Sequence, residues 1–436
     1  MKTITTIVCA VVVAMGFTLA SANAQQDSDV GFTIPTADEL QRAKDNRRSQ
    51  ALGERVARRV MTAYELYEAD DIRGAIAELE EAPARTDYDV AYVARFLGTM
   101  WASVEGDDSA NRKAIAELEK SIAPNLLSHA DHAASLQLLG NLQLMEENFE
   151  EALEILREFL QFTGEWNPDV LIRMASAHME LKQYDRVSPL AEKALENMDE
   201  PHRNPYVLMI AANYEAGNVP ETISVLERGV VALPNERAWW VQLGMMYNLS
   251  EQYEKALSTM RIAYDAGYFR SSNDYRALVQ LYANNSVPFY AAEVMSRHME
   301  SGDIEQTARN YATAARSYNT AREFSKSAAE YAKAVREADN NNDRIDYNRR
   351  QGEALLLAEE YRQAVAPFRS AIELTPSGED AGRLYMSLAE AYFYSNQYRQ
   401  AYDAAERAKG YSSTRRNAEG WAQYIKDTAS RRGVDI

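Results

Sequence analysis

Apolar residues return along this chain with the spacing of one helix face. Tyr311, Ala314, Ala315 and Tyr318 form one i, i+3, i+4, i+7 set, and Tyr385, Leu388, Ala389 and Tyr392 form another. Each set predicts a helix with one buried stripe. The sets recur with a period of about 34–39 residues, which is the mark of a repeat architecture. A small residue fixes the register of the second helix in each copy. These residues are Ala75, Ala114, Ala152, Val187, Thr222, Ala256, Ala291, Ser327, Ala364 and Ala401, spaced 39, 38, 35, 35, 34, 35, 36, 37 and 37 apart. Ten such points predict about ten helix pairs. The early excesses fall at Glu105-Gly106-Asp107-Asp108 and at Pro124-Asn125, where a loop insertion costs little closure entropy. An aromatic stands three residues before the small one at Phe149, Tyr184, Tyr253, Phe324, Tyr361 and Tyr398, but Val219 and Pro288 replace it twice. The copy from Ala211 to Leu226 is one residue short between its helices, so irregular turns are expected at these places. Pro376 follows one repeat closely and is expected to stop its helix. No period-two alternation is sustained, so no strand is expected.

The clearest copy is Trp240, Leu243, Gly244, Tyr247, Tyr253, Ala256 and Ala263. This spacing resembles the tetratricopeptide repeat (TPR). The resemblance implies an all-α helix-turn-helix solenoid, a right-handed superhelix of about ten repeats. Such an array has a long concave face that holds other proteins. Ala418 to Ser430, with Trp421, Tyr424 and Ile425, reads as a capping helix over the last apolar face.

The ends of the chain divide it further. Lys2, the apolar run Ile7 to Leu19 and Ala22-Asn23-Ala24 read as a secretory signal peptide cleaved after Ala24. The run is shorter than the ~20 residues that span a bilayer, and no later stretch reaches that length. The expected division is 1–24 signal peptide, 25–50 polar lead-in, 51–415 repeat array and 416–436 cap and tail. Residues 25–35 read as flexible. Thr36 with Glu39 makes a capping box, so a helix is expected from Ala37. Arg42, Lys44, Arg47 and Arg48 make its start basic, and the stretch Arg42 to Arg59 is a candidate docking helix for an acidic partner or a membrane surface.

Cys9, the one cysteine, lies inside the signal. The mature chain is therefore expected to have no disulfide and no thiolate metal site. The 47 basic residues less Lys2 stand against 65 acidic ones, a net charge of −19. That argues against general nucleic-acid binding, which needs a basic footprint, and against lying flat on anionic lipid.

Several segments resemble a narrower group. Arg55-Val56-Ala57-Arg58-Arg59 leads into Ala63-Tyr64-Glu65-Leu66-Tyr67; then come Ala91 to Gly98, Trp239 to Met245, Met386 to Tyr392 and Trp421 to Thr428. Together they are similar to the exported TPR proteins found with TonB–ExbB–ExbD energy-transduction systems. The resemblance implies a periplasmic accessory of TonB-dependent outer-membrane uptake, of the iron–siderophore type. Its partners would be TonB–ExbB–ExbD components or a TonB-dependent receptor. The rival reading is a structural assembly factor for outer-membrane protein or envelope polysaccharide machinery.

Candidate chemistry is sparse. No nucleophile elbow, P-loop, dinucleotide fingerprint or zincin motif is present, so no enzyme and no cofactor is expected. His129 and His132 with Asp131 have ligand types but read as a loop and helix start. His178, His202 and His298 are isolated. Asp339, Asn341 and Asp343 begin like a calcium loop, but Arg344 and Arg350 stand where glycine and glutamate are needed. No metal is expected. The register instead places Arg276, Arg309, Arg316, Arg349 and Arg383 on the groove side of consecutive first helices, beside Asn284 and Asn319. Arginine offers carboxylates a planar fork of donors, and Asn can bond an extended backbone. These seven residues are the expected partner-binding groove.

Overall fold

A computed structural model describes residues 30–436 apart from 48–49 and 376–378. The expected signal peptide with Cys9, and also Arg48 and Pro376, lie outside the described residues. Among the described residues there are 22 α-helices and no strand. No helix there is long and apolar enough to cross a membrane.

The chain divides into two compact units, up to Pro234 and from Asn235. The first unit opens with α1 (Ala37–Asp45). Five helix pairs follow: α2 (Glu54–Glu68) with α3 (Ile72–Glu80), α4 (Asp87–Ala102) with α5 (Ala110–Ile122), α6 (His129–Met145) with α7 (Phe149–Thr163), α8 (Pro168–Glu180) with α9 (Tyr184–Glu196), and α10 (Arg203–Glu215) with α11 (Val219–Ala232). The second unit holds five more: α12 (Arg237–Leu249) with α13 (Tyr253–Asp265), α14 (Ser272–Asn284) with α15 (Pro288–Ser301), α16 (Ala308–Thr320) with α17 (Phe324–Glu337), α18 (Asn341–Leu357) with α19 (Tyr361–Leu374), and α20 (Glu379–Tyr394) with α21 (Tyr398–Ala408). It closes with α22 (Arg415–Arg431). Substantial contacts join helices adjacent in the chain or next but one.

Every register residue is buried. Nine of the ten small positions are wholly inaccessible and Thr222 is 1% exposed. The first helix comes so close that it carries glycine at four crossings. A Cβ added at Gly98, Gly140, Gly244 or Gly352 would lie 2.5–2.6 Å from Leu118, Leu156, Met260 or Phe368 respectively. Each of those partners stands four residues, one helical turn, after its small residue.

The turn within each pair is also constant. One residue has left-handed backbone: Asp70, Gly106, Glu147, Lys182, Gly217, Glu251, Ser286, Arg322, Glu359 or Asn396, with φ between 57° and 74°. In nine pairs it stands five residues before the small one, and the next N–H bonds back to the first helix, as Gln252 does to the Tyr247 carbonyl at 2.8 Å and Asn218 to the Asn213 carbonyl at 2.8 Å. That is the six-to-one bond of a Schellman turn. The pairs starting their second helix at Val219 and Pro288 share this geometry. The irregular turns expected there do not occur. The backbone sets the turn, and a proline at the first helical position loses no bond it needs. The extra residues of the early repeats fall in the loops around Gly106 and Asn125, as expected.

The N-terminal segment corrects two expectations. Residues 30–35 are not a free lead-in. Val30, Phe32 and Ile34 pack on the core of α7, α8 and α9. The Gln161 side chain donates to the Thr33 carbonyl at 3.2 Å, and Leu40 reaches Gly164. The capping box forms as the spacing predicts, Thr36 accepting from the Glu39 N–H and Glu39 from the Thr36 N–H at 2.9 Å. Arg42 to Arg59 is not one helix, since α1 ends at Asp45 and α2 starts at Glu54. Its charges are partly spent: Arg47 donates to the Leu127 carbonyl and Asn125, and Arg59 pairs with Glu78 and Glu81.

Candidate functional site

The seven groove candidates lie on α14, α16, α18 and α20. Counted back from each small residue, Arg309 and Arg383 stand at 18, Arg276 and Arg349 at 15, and Arg316 at 11. Arg276, Arg309, Arg316, Arg383 and Asn284 are exposed; Arg349 and Asn319 are half-buried. No hydrogen bond or ion pair joins any two of the seven among the described residues.

Their electrostatic states differ. Arg349 lies between Asp346 and Glu353, 2.6 Å from each, and these hydrogen-bonded carboxylates hold its guanidinium charged against the desolvation of partial burial. Asp346 also accepts from Arg350 at 2.8 Å. Arg383 pairs with Asp380 on its own helix. The Arg316 guanidinium donates to the Thr313 hydroxyl at 3.0 Å and has no carboxylate partner among the described residues. Arg276 and Arg309 have no carboxylate partner among the described residues. Asn284 accepts from Gln280 at 2.7 Å.

The face therefore changes sign from repeat to repeat without a fixed alternation. At the 11-back position stand Gln280, Arg316, Glu353 and Glu390 in successive repeats, and at the 18-back position Asn273, Arg309, Asp346 and Arg383. Glu390 is half-buried, and desolvation pushes its carboxyl up. The cationic stretch is thus α14 with α16, and α18 carries its own neutralised cluster. Surface ion pairs of this kind contribute ~0–1 kcal/mol each, so the cluster shapes the local field more than it stabilises the fold.

The histidines are committed elsewhere. His129 and His132 both lie against the Phe162 ring, with centroids 4.6 Å away. The Arg47 guanidinium lies over the same ring, 4.7 Å from its centroid. Ser128 caps α6, accepting from the Asp131 N–H and donating its hydroxyl to the Asp131 carboxylate, which also pairs with Arg95 at 2.8 Å. His132 is buried with no partner on Nδ1, and burial, then Arg47, brings its pKa down to about 4. His178 bonds Gln183 at 2.7 Å, and His202 caps α10. His298 links Tyr264 and Asp303, at 2.9 and 2.8 Å. Of the calcium-like run, Asp343 donates its N–H to Asn340, which caps α18. Among the described residues no three potential ligands cluster about a common point.

In the copy from Trp240 to Ala263, Gly244 meets Met260, Tyr247 accepts the turn bond, Tyr253 opens the second helix, and Ala256 and Ala263 are wholly buried. The fold is an all-α array of helix pairs with tetratricopeptide-type spacing. Its helix pairs keep that register in both units.

No protein-family model matches the chain, and no curated protein matches it. Among solved structures it is similar to the C-terminal part of a TPR repeat-containing protein from Cytophaga hutchinsonii, at 15% identity over 56% of this chain and 97% of that one, TM-score 0.35. It is also similar to a tetratricopeptide repeat protein from Parabacteroides merdae, at 14% identity over 70% and 99%, TM-score 0.29. A third is YrrB, described as a TPR protein with an unusual peptide-binding site, at 16% identity over 44% and 95%, TM-score 0.33. Likeness at this level transfers no residue's role.

The repeat pattern alone did not reveal the packed segment 30–47 or the uniform turns. For the segment, the signal was there in small: Val30, Phe32 and Ile34 alternate, and their alternate side chains are the ones that pack.

Proposed function

We propose that this chain is a non-enzymatic protein-binding scaffold of the periplasm, an accessory of TonB-dependent outer-membrane uptake. The first-helix face of α14 and α16 is its peptide-capturing surface. One observation carries the binding reading: Arg276, Arg309 and Arg316 stand exposed in register on successive first helices, with no carboxylate partner among the described residues. In a chain of net charge −18 this is a local cationic stretch. Asn319 adds amide groups suited to an extended backbone. Acidic segments or a chain terminus would be steered there and held reversibly. The export and TonB parts rest on the signal-like N-terminus and on the segments similar to TonB-associated TPR proteins.

The test is cross-linking of the tagged mature protein in iron-starved cells, read by mass spectrometry, for wild type and for Arg309→Glu with Arg316→Glu. Recovery of TonB–ExbB–ExbD components or a TonB-dependent receptor, lost in the variant, is the expected result. Recovery unchanged by the variant would remove the groove assignment. Recovery of polysaccharide or outer-membrane assembly machinery would transfer the function to the assembly-factor reading. Arg349 is the wrong residue to reverse, because Arg349→Glu would set its new carboxylate beside Asp346 and Glu353 and disturb α18 itself.

A further inference from the structure

The array already holds one non-helical segment, which turns at Gly31, and the way it does so identifies a second, open groove. Phe32 lies against the Trp166 ring, with centroids 5.4 Å apart, and the Arg157 guanidinium lies 5.8 Å from its centroid. Gln161 donates to the Thr33 carbonyl. A side chain at Gly31 would come within 3.4 Å of Arg186, and Lys193 lies over Trp166 at 5.0 Å. In register these are fixed places. Arg157 and Gln161 follow Ala152 of α7 by five and nine residues; Arg186 precedes Val187 of α9 by one, and Lys193 follows it by six.

The same four places recur around a cavity of about 500 Å³ in the second unit, between α19 and α21. Arg369 and Glu373 follow Ala364 by five and nine; Gln400 precedes Ala401 by one, and Arg407 follows it by six. Tyr385 and Tyr392 of α20 add aromatic surface, and Arg407 lies 5.8 Å from the Tyr385 centroid. Arg369 is 61% exposed, and its contact with Glu373 is long, at 4.0 Å. We propose that this second-helix groove binds an extended segment of a partner protein that carries one aromatic side chain between aliphatic neighbours. The aromatic ring enters between Arg369 and Arg407 and rests on Tyr385, where cation–π contact and ring packing hold it. Glu373 replaces Gln161, so here the groove accepts from a backbone N–H of the segment instead of donating to a carbonyl. The surface is separate from the first-helix face proposed above and does not depend on it.

The experiment uses the full mature chain and a fluorescent heptapeptide with the sequence of Val30 to Thr36, read by anisotropy. Saturable binding is expected, weakened about tenfold or more by Arg369→Glu with Arg407→Glu, which corresponds to about 1.4 kcal/mol. Arg157→Glu should leave it unchanged. A second measurement needs no variant: with benzoylphenylalanine in place of the peptide's aromatic residue, cross-links should map to α19, α20 or α21 of the wild-type chain. Absence of binding, or cross-links elsewhere, overturns the proposal. Loss of binding with Arg157→Glu alone also overturns it, since the peptide is then exchanging with the chain's own segment. A dimer in solution that Phe32→Ala abolishes would give the groove to the segment of a second copy and overturn the foreign partner.

Discussion

Gly352 offers a direct test of the crossing geometry. It lies inside α18, where alanine is better for the helix by about 1 kcal/mol. A Cβ there would lie 2.6, 2.7 and 2.8 Å from three atoms of the Phe368 ring edge, roughly an ångström inside ordinary contact. Phe368 is wholly buried among Ala354, Leu355, Ala364 and Ala371, so the ring has nowhere to retreat. Overpacking of that kind costs about 2–3 kcal/mol, the upper half of the usual range. Gly352→Ala should therefore destabilise by a net of about 1–2 kcal/mol, propensity gain included. Gly420→Ala is the control: that glycine is exposed inside α22 and a Cβ there meets nothing within 4 Å. It should stabilise by up to about 1 kcal/mol. Urea denaturation followed by circular dichroism reads both. Amide exchange in α18 and α19 localises the effect, because a repeat array need not unfold in one step. If Gly352→Ala stabilises as Gly420→Ala does, the helices are not held at the distance described.

The turns and the buried histidine give two further tests. Glu251 and Gly217 hold the same left-handed place in successive repeats, with φ of 61° and 74°. Glu251→Gly should stabilise and Gly217→Ala destabilise, each by roughly 0.5–1 kcal/mol, read as opposite shifts in melting temperature; two shifts of the same sign would refute the shared turn. His132 is held well below its ordinary pKa of 6.5, at about 4, by burial, Arg47 and His129. The unfolded chain therefore takes the proton first. The stability due to neutral His132 is complete above pH 6.5 and is lost as pH falls toward 4, by at most about 3 kcal/mol. Denaturation curves across that window should fall less steeply for His132→Phe than for wild type; equal slopes would refute the link. His129, also lowered by burial, and the facing Lys44, Arg47 and Glu165 remain in both proteins, so the difference reports His132.

The repeat was legible because its signal is steric and local. One small residue per pair must lie at the crossing, and Ala75 through Ala401 all do. The turns misled because side-chain identity at Val219 and Pro288 seemed to decide them, whereas a left-handed residue and one backbone bond do. The arginines expected in the groove could be placed in register from the sequence, but their charge environment could not. Whether Arg349 is free depends on Asp346 and Glu353, three residues before it and four after, which share its helix face. The packed segment was hidden for another reason. Three alternating apolar residues are too short a pattern to register, and their partners are far away in the chain.

That distance has a consequence for how the molecule is made. The helix pairs close against neighbours, so each can settle soon after it is synthesised. The N-terminal segment cannot. The carbonyl of Thr33 waits for a side chain 128 residues downstream, and Arg47 waits for a loop 80 residues away. This early stretch of the chain is thus among the last to find its place. Until α7 and α9 have formed, Val30, Phe32 and Ile34 remain an uncovered apolar ribbon, open to a chaperone or to a neighbouring chain at the same stage.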